Sequence, residues 1–243
     1  SLSISPSVAD VGHLKPCGRY MNEFGQDWQT VYDFSNRTIG RLVSPLDLSY
    51  RKDRRSDYLA LIHYVQLSCP GVDISFTAPL VSEGVMPAGE LKFNDLFTLY
   101  RFENLLYVVE MTGKEIKDYL EGAYDKRITG SDYLYNYDTA GGLVYTVSPS
   151  SAKGSRVRII SMWDGTPFEM SGTYRVAMTS YRASGAGGLL KEAGLDRETM
   201  DSRVVEIYPE IREMLCEFIE AQGDIDPKEI AGAKKTGSWR FIK

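Results

Sequence analysis

"LLYVVEMTGKEIKDYLEGAY", residues 105–124, changes character at its middle. Residues 105–111 are rich in branched and aromatic side chains and read as a strand. Thr112 and Glu115 then stand at capping-box spacing, where each side chain takes up the other residue's free backbone N–H. The helix KEIKDYLEGAY follows. This strand-to-helix boundary is the sharpest in the chain, and the rest of the fold is read outward from it.

Upstream, Gly89–Leu91 turns the chain into a short helical segment around NDLFTLY, and VDISF reads as a buried strand. Before that strand, Ser56 or Asp57 caps a helix whose apolar positions Leu59, Ile62 and Val65 recur every three residues, with Pro70 and Gly71 closing the region. Residues 1–38 read as an irregular lead with a short strand at WQTVYDF (28–34). Downstream, residues 128–170 read as β-rich: LVYTVS and RVRIISMW alternate, with a turn at WDGTPF. YRVAMTS is a further strand running into the small-residue loop Gly185–Gly188. Pro209 suits the first turn of a helix through IREMLCEFIEAQ, with Ile211, Leu215, Phe218 and Ile219 on one face and Gly223 as its stop. GSWRFIK reads as a last strand. No repeat, low-complexity segment or linker divides the chain, and residues 39–243 read as its domain. The fold class is α+β: one domain with a mixed β-sheet packed by helices.

Composition narrows the function. Of 243 residues, 43% are hydrophobic and 25% charged, which is ordinary for a globular chain. The net charge of -5 argues against a nucleic-acid polymer as partner, since that would need a basic face. Sixteen tyrosines against nine phenylalanines favour half-exposed grooves, because tyrosine pairs an apolar body with a polar tip. Three scattered cysteines imply no disulfide framework, and no apolar run is long enough for a transmembrane segment. SLSISPSVAD has no signal-peptide core and reads as the start of a trimmed or mature chain. Two histidines, His13 and His63, cannot furnish a dinuclear metal site, and His63 reads as a partly buried helix residue. No cofactor motif is present: there is no P-loop, no GxSxG elbow, and no GxGxxG after a strand.

Several short motifs occur in a specific order: Ser75–Pro79, Gly89–Leu91, Leu99–Tyr100, Phe102–Asn104, Thr112–Lys117, then "YNYDTAGGLVYTVSPSSAKGSRV" and "SYRASGAGG". In that order they resemble the C-terminal domain of the 5′-nucleotidase family. The branch they resemble most is the 2′,3′-cyclic-nucleotide 2′-phosphodiesterase/3′-nucleotidase enzymes. The resemblance runs from about Ile39 to Trp239. It implies a division of labour: a separate metallophosphoesterase domain holds two metals and hydrolyses, while this domain holds the nucleoside or nucleotide. It also implies nucleotide breakdown by an exported protein, periplasmic or at the cell surface. By the same resemblance the base is sandwiched by Phe102 and Tyr181, with Asn104 and Arg182 as polar contacts and Gly185 and Gly187 letting the backbone approach the ribose.

The loop departs from both branches. Gly187 stands where 5′-nucleotidases carry an acidic residue, Ala186 interrupts the other branch's double glycine, and TAPLVSEG replaces an Asn-Gly-Gly-Ile-Arg stretch. Plainer readings stand beside these. Phe102 and Tyr181 alone would read as core or strand-end aromatics, and the motif order favours the platform. Asn104 reads equally as a ligand contact or a cap on its own turn, and Arg182 equally as a ligand contact or a structural partner. The glycines read also as positive-φ turns. Two functions remain open: the substrate-recognition domain of a nucleotidase or cyclic-nucleotide phosphodiesterase system without the catalytic domain on this chain, or a free-standing binding or interaction module that has lost nucleotide recognition. The family is one of hydrolases, yet residues 1–243 alone are predicted inactive. Purified and supplied with divalent metal, they should turn over neither nucleoside monophosphates nor cyclic nucleotides. Metal-dependent turnover in a preparation cleared of contaminating phosphatase would overturn this.

Overall fold

A computed structural model describes residues 6–130 and 132–243. Residues 1–5, in the stretch read as the start of a mature chain, and Ser131, in the β-rich region, lie outside the described residues. The chain forms two compact units, one up to Arg37 and the other Thr38–Lys243.

The first unit corrects the sequence reading. Gly18–Ser35 is one helix, not an irregular lead with a strand at WQTVYDF. The aromatics that suggested a strand pair instead at i,i+4 along the helix. Tyr20 lies 5.0 Å from Phe24 and Trp28 stacks on Tyr32 at 5.1 Å, ring centre to ring centre. Gln29 donates to Asp33 at the same spacing, and the Asn36 amide donates to the Tyr32 carbonyl at the C-terminal end.

The second unit is α+β, with four sheets among the described residues where one was expected. The central sheet has five strands in the order Val204–Glu210, Leu105–Thr112, Thr173–Thr179, Ile74–Thr77, Thr139–Gly141. Thr173–Thr179 runs antiparallel to Leu105–Thr112 and parallel to Ile74–Thr77, so the sheet is mixed. Gly142, at φ +85°, turns the chain out of this sheet; a Cβ there would overlap the Asp73 carbonyl oxygen. Beyond that turn, Leu143–Val147 joins Val157–Met162 and the C-terminal strand Ser238–Phe241 in a second sheet. Thr38–Leu42 pairs with Gly89–Lys92 and Asp224–Ile225 in a third, and Leu46–Asp47 with Val85–Met86 in a fourth.

Successive residues of a strand point to opposite faces, and the central sheet is covered on both. Leu106 and Ala177 join a core with the helices Asp57–Gln66 and Ile211–Gln222. Val109, Met111, Val176 and Met178 join another with the helix Gly113–Thr129. The capping box at that helix forms as read: Thr112 N–H donates to Glu115 Oε2 at 2.7 Å, and Glu115 N–H to Thr112 Oγ1 at 3.3 Å. Arg203 bridges the same carboxylate at 2.8 Å, and Gly130 closes the helix. Midway along it, buried Glu121 accepts the N–H groups of Gly154, Arg156 and Val157, tying the helix to the second sheet. Leu59, Ile62 and Val65 are buried, as their spacing implies. Pro209 does not open a helix. It ends the edge strand Val204–Glu210, where the pairing shifts register between Tyr208 and Glu210 and no N–H is needed. The helix begins at Ile211 and stops at Gly223. No helix among the described residues is long and apolar enough to cross a membrane.

His63 is wholly buried and clamps two adjacent strands, with Nδ1 2.6 Å from Ser75 Oγ and Nε2 2.9 Å from Thr139 Oγ1. Burial, reinforced by the Arg55 charge, lowers its pKa to about 3. The unfolded chain therefore takes up a proton below about pH 6.5 that the folded chain refuses. The stability tied to neutral His63 is full above about pH 6.5 and is lost as pH falls toward 3, by roughly 1.4 kcal/mol per pH unit. Urea unfolding at pH 7.5 and pH 5 should differ by roughly 2 kcal/mol from this group, and His63→Gln should flatten that difference. An unchanged slope in the variant would show that His63 does not carry it.

Candidate functional site

Four strands of the central sheet meet at one end. Ile74–Thr77 and Thr173–Thr179 are parallel and finish there, while their antiparallel neighbours Thr139–Gly141 and Leu105–Thr112 start there. The segments at those ends wall a cleft of about 180 Å³, open to solvent at its mouth. Phe76, Thr77, Ala78 and Leu80 line it at the end of the first strand, and Tyr100, Phe102 and Asn104 before the second. Tyr135 and Asp138 line it from the segment before Thr139, and Thr179, Tyr181 and Arg182 after the fourth strand. Sheet topology thus gathers residues from four distant parts of the sequence. The wall is mostly apolar with a few polar groups, the composition typical of small-molecule sites.

Of the residues singled out from the sequence, Phe102, Asn104, Tyr181 and Arg182 share this cleft, whereas Gly185 and Gly187 are not on its wall. Phe102 and Tyr181 keep 39% and 50% of their surface exposed, which is unlike core aromatics. Tyr135 meets Phe102 edge-on, ring centres 5.9 Å apart. Asn104 is half-buried; its side chain is a hydrogen-bond partner of the Tyr100 hydroxyl, which burial pushes up to about 12. The Asn104 carbonyl accepts the Ile211 N–H at 3.1 Å, fixing the turn to the start of the next helix.

Arg182 is buried and fully engaged. Its Nε and Nη2 donate to Asp138 Oδ2 and Oδ1 at 3.1 and 2.6 Å, a bidentate pair. Nη1 donates to Asn136 Oδ1 at 2.8 Å and to the Ala186 carbonyl at 3.3 Å, and Nη2 also donates to the Tyr135 carbonyl. Burial alone would lower its pKa, but Asp138 and Tyr119 outweigh that and hold it firmly charged. The Tyr119 hydroxyl donates to Asp138 Oδ2 at 2.6 Å, and burial keeps that phenol protonated. Gly187, at φ +75°, passes directly over this network. A Cβ there would overlap Arg182 Nη1 and Asn136 Oδ1, so the glycine makes room for the guanidinium.

Strand Thr173–Thr179 does not run straight into the glycine loop: Ser180–Ala183 forms one helical turn first, with Thr179 Oγ1 accepting the Arg182 N–H at 3.1 Å. Tyr100, Tyr135 and Asp138 escaped the sequence reading as site residues. The signal for Tyr135 and Asp138 was YNYD placed directly before TAGG, where two rings and one carboxylate precede a strand. Among the described residues no three His, Cys, Asp or Glu side chains cluster as metal ligands.

The profile described as 5′-nucleotidase, C-terminal domain, matches residues 35–192. Over 203 residues, 84% of this chain, the sequence is 31% identical to a 5′-nucleotidase of Vibrio vulnificus, covering 30% of that protein. It is 23% identical, across 97% of its length, to a 2′,3′-cyclic-nucleotide 2′-phosphodiesterase/3′-nucleotidase of Haemophilus influenzae, covering 46% of that protein. The crystal structure of a putative 5′-nucleotidase from Staphylococcus aureus superposes with a TM-score of 0.71 over 99% of this chain and 46% of that one, at 18% identity. The chain spans less than half the length of each of these relatives.

Asp138 and Arg182 can be tested apart from any ligand. Removing one partner of a buried pair leaves the other charge uncompensated and costs about 3–5 kcal/mol. Asp138→Ala should fall in that range by urea unfolding. The double variant Asp138→Leu/Arg182→Met should recover much of the loss, because both charges then leave the interior together. Equal losses in the single and double variants would contradict this account.

Proposed function

The chain belongs to the 5′-nucleotidase C-terminal domain family, and on that premise we propose that the cleft holds a nucleoside or nucleotide by its base. The observation that carries this reading is the cleft itself, where two half-exposed rings from distant segments, Phe102 and Tyr181, share one apolar wall with Asn104. A base offers an aromatic face whatever its identity, and stacking on a protein ring contributes roughly 1–3 kcal/mol per base. Phe102 and Tyr181 supply the faces. Asn104 supplies a polar contact from a turn that Tyr100 and Ile211 hold in place. Arg182 lies on the wall beside Tyr181, while Gly185 and Gly187, off the wall, set how closely the loop approaches the sugar.

On this reading residues 39–243 are the substrate-recognition half of a nucleotide phosphohydrolase system. Hydrolysis falls to a metallophosphoesterase domain outside residues 1–243, docked so that its metals meet the phosphate at the mouth of the cleft. The periplasm or cell surface is the compartment that goes with such a system.

Calorimetric titration of residues 1–243 with adenosine and cytidine tests the reading. Adenosine should bind weakly and more tightly than cytidine, because the larger ring covers more of each face. Tyr181→Ala and Phe102→Ala should each weaken adenosine binding roughly 5- to 150-fold, with melting temperatures close to the parent's, since half-exposed rings contribute little to the core. A parent chain that binds no nucleoside, with variants that lose the roughly 3–5 kcal/mol typical of a core aromatic, would return both residues to a packing role.

A further inference from the structure

The wall of the cleft carries one cation, Arg182, and one anion, Asp138. A guanidinium has five N–H donors and no acceptor. All five are spent inside the protein: two on Asp138, one each on Asn136 and the Ala186 carbonyl, and one on the Tyr135 carbonyl. The side chains of the pair are 5% and 1% exposed, so its charge is neutralised internally before any ligand arrives. Of the nearby cations, Arg212 and Lys126 donate inward, while Arg101, beside Phe102 in the chain, is exposed and off the wall. Arg212 bonds the carbonyls of Tyr100 and Arg101, and Lys126 bonds Asp132 and the Gly187 carbonyl. The helical turn that begins on the wall has its Arg182 N–H taken by the Thr179 hydroxyl. The rest of the wall is apolar or neutral.

A bound phosphate wants charge-assisted donors, from arginine forks, lysine or unbonded backbone N–H groups at a helix start. Among the described residues, the wall of the cleft carries no arginine or lysine side chain that is unspent. We propose that it grips only the uncharged nucleoside part of its ligand, so that its affinity is blind to whether a phosphate is present and to which ribose oxygen carries it. This rests on the reading above that the cleft takes a base. The consequence for a reaction is direct: the phosphate stays free for groups outside this domain, and the nucleoside left after phosphate removal is held as firmly as the substrate was. That nucleoside would then act as a competitive product inhibitor.

The test is titration of residues 1–243 with adenosine, 5′-AMP, 3′-AMP and 2′,3′-cyclic AMP, each at about 20 mM and about 300 mM NaCl, where screening differs strongly. The expected result is that no nucleotide binds more than about threefold tighter than adenosine at either salt concentration, since even one free guanidinium bonded to phosphate would add about tenfold or more. Adenosine binding with any nucleotide exceeding that threefold limit would overturn the inference and leave the base-binding reading standing. Failure of adenosine and all three nucleotides to bind would sink that reading and this one with it.

Discussion

Burying a guanidinium against a carboxylate strips both of water, a loss that only good geometry and further hydrogen bonds can offset. Arg182 and Asp138 meet that demand with a bidentate contact, the Tyr119 hydroxyl, the Asn136 amide oxygen and two backbone carbonyls. Those partners lie on three different pieces of chain. Tyr119 belongs to the helix Gly113–Thr129, Tyr135 and Asn136 to the segment entering the edge strand, and Ala186 to the glycine loop. One ion pair therefore fixes three segments around one end of the sheet. The loop must run close over the guanidinium, which is why residue 187 has no side chain. Tyr181, next in the chain to Arg182, has that guanidinium 5.4 Å from its ring centre, so the exposed ring stands on a rigid base.

The sheet supplies the other half of the arrangement. Mixed pairing brings two strand ends and two strand starts to one edge, and His63 locks the Ser75 and Thr139 strands together just behind it. Phe76 stacks flat on Tyr119 at 4.3 Å, linking the cleft wall to the helix that also holds Asp138. The apolar cores on the two faces of the sheet leave little freedom to the backbone beneath the cleft. Rings that are half exposed yet mounted on such a support lose little conformational entropy when a flat ligand settles between or against them.

What could be read from the sequence was whatever local chemistry determines. Thr112 and Glu115 are three residues apart and satisfy each other, so the helix start was legible. The spacing of Leu59, Ile62 and Val65 announced a helix for the same reason. The lead segment misled because Trp28, Val31, Tyr32 and Phe34 are good strand formers in composition, while their i,i+4 pairing is visible only once a helix is assumed. Pro209 misled because proline suits a helix start and an edge-strand bulge equally, and only the pairing with Leu105 and Leu106 distinguishes them. The division into four sheets depends on pairings between residues as distant as Trp239 and Tyr145, which no local pattern encodes. Phe102, Asn104, Tyr181 and Arg182 stood out through motif order, and they do share a cleft. Asp138 lies 44 residues from its partner, and nothing within its own window marks it as the counter-ion of Arg182.

The edge strand Val204–Glu210 has a bearing on how copies of this chain behave in a crowd. It is the outermost strand of the central sheet and carries Val205 and Ile207 exposed, the ingredients of unwanted strand-to-strand association between molecules. Pro209 removes one N–H from that edge, the register shift beside it breaks the flat repeat, and Glu210 adds negative charge at its end. A second sheet approaching this edge would meet a missing donor, a kink and like charges in turn. The residue that looked like the opening of a helix is thus part of what keeps the sheet five strands wide.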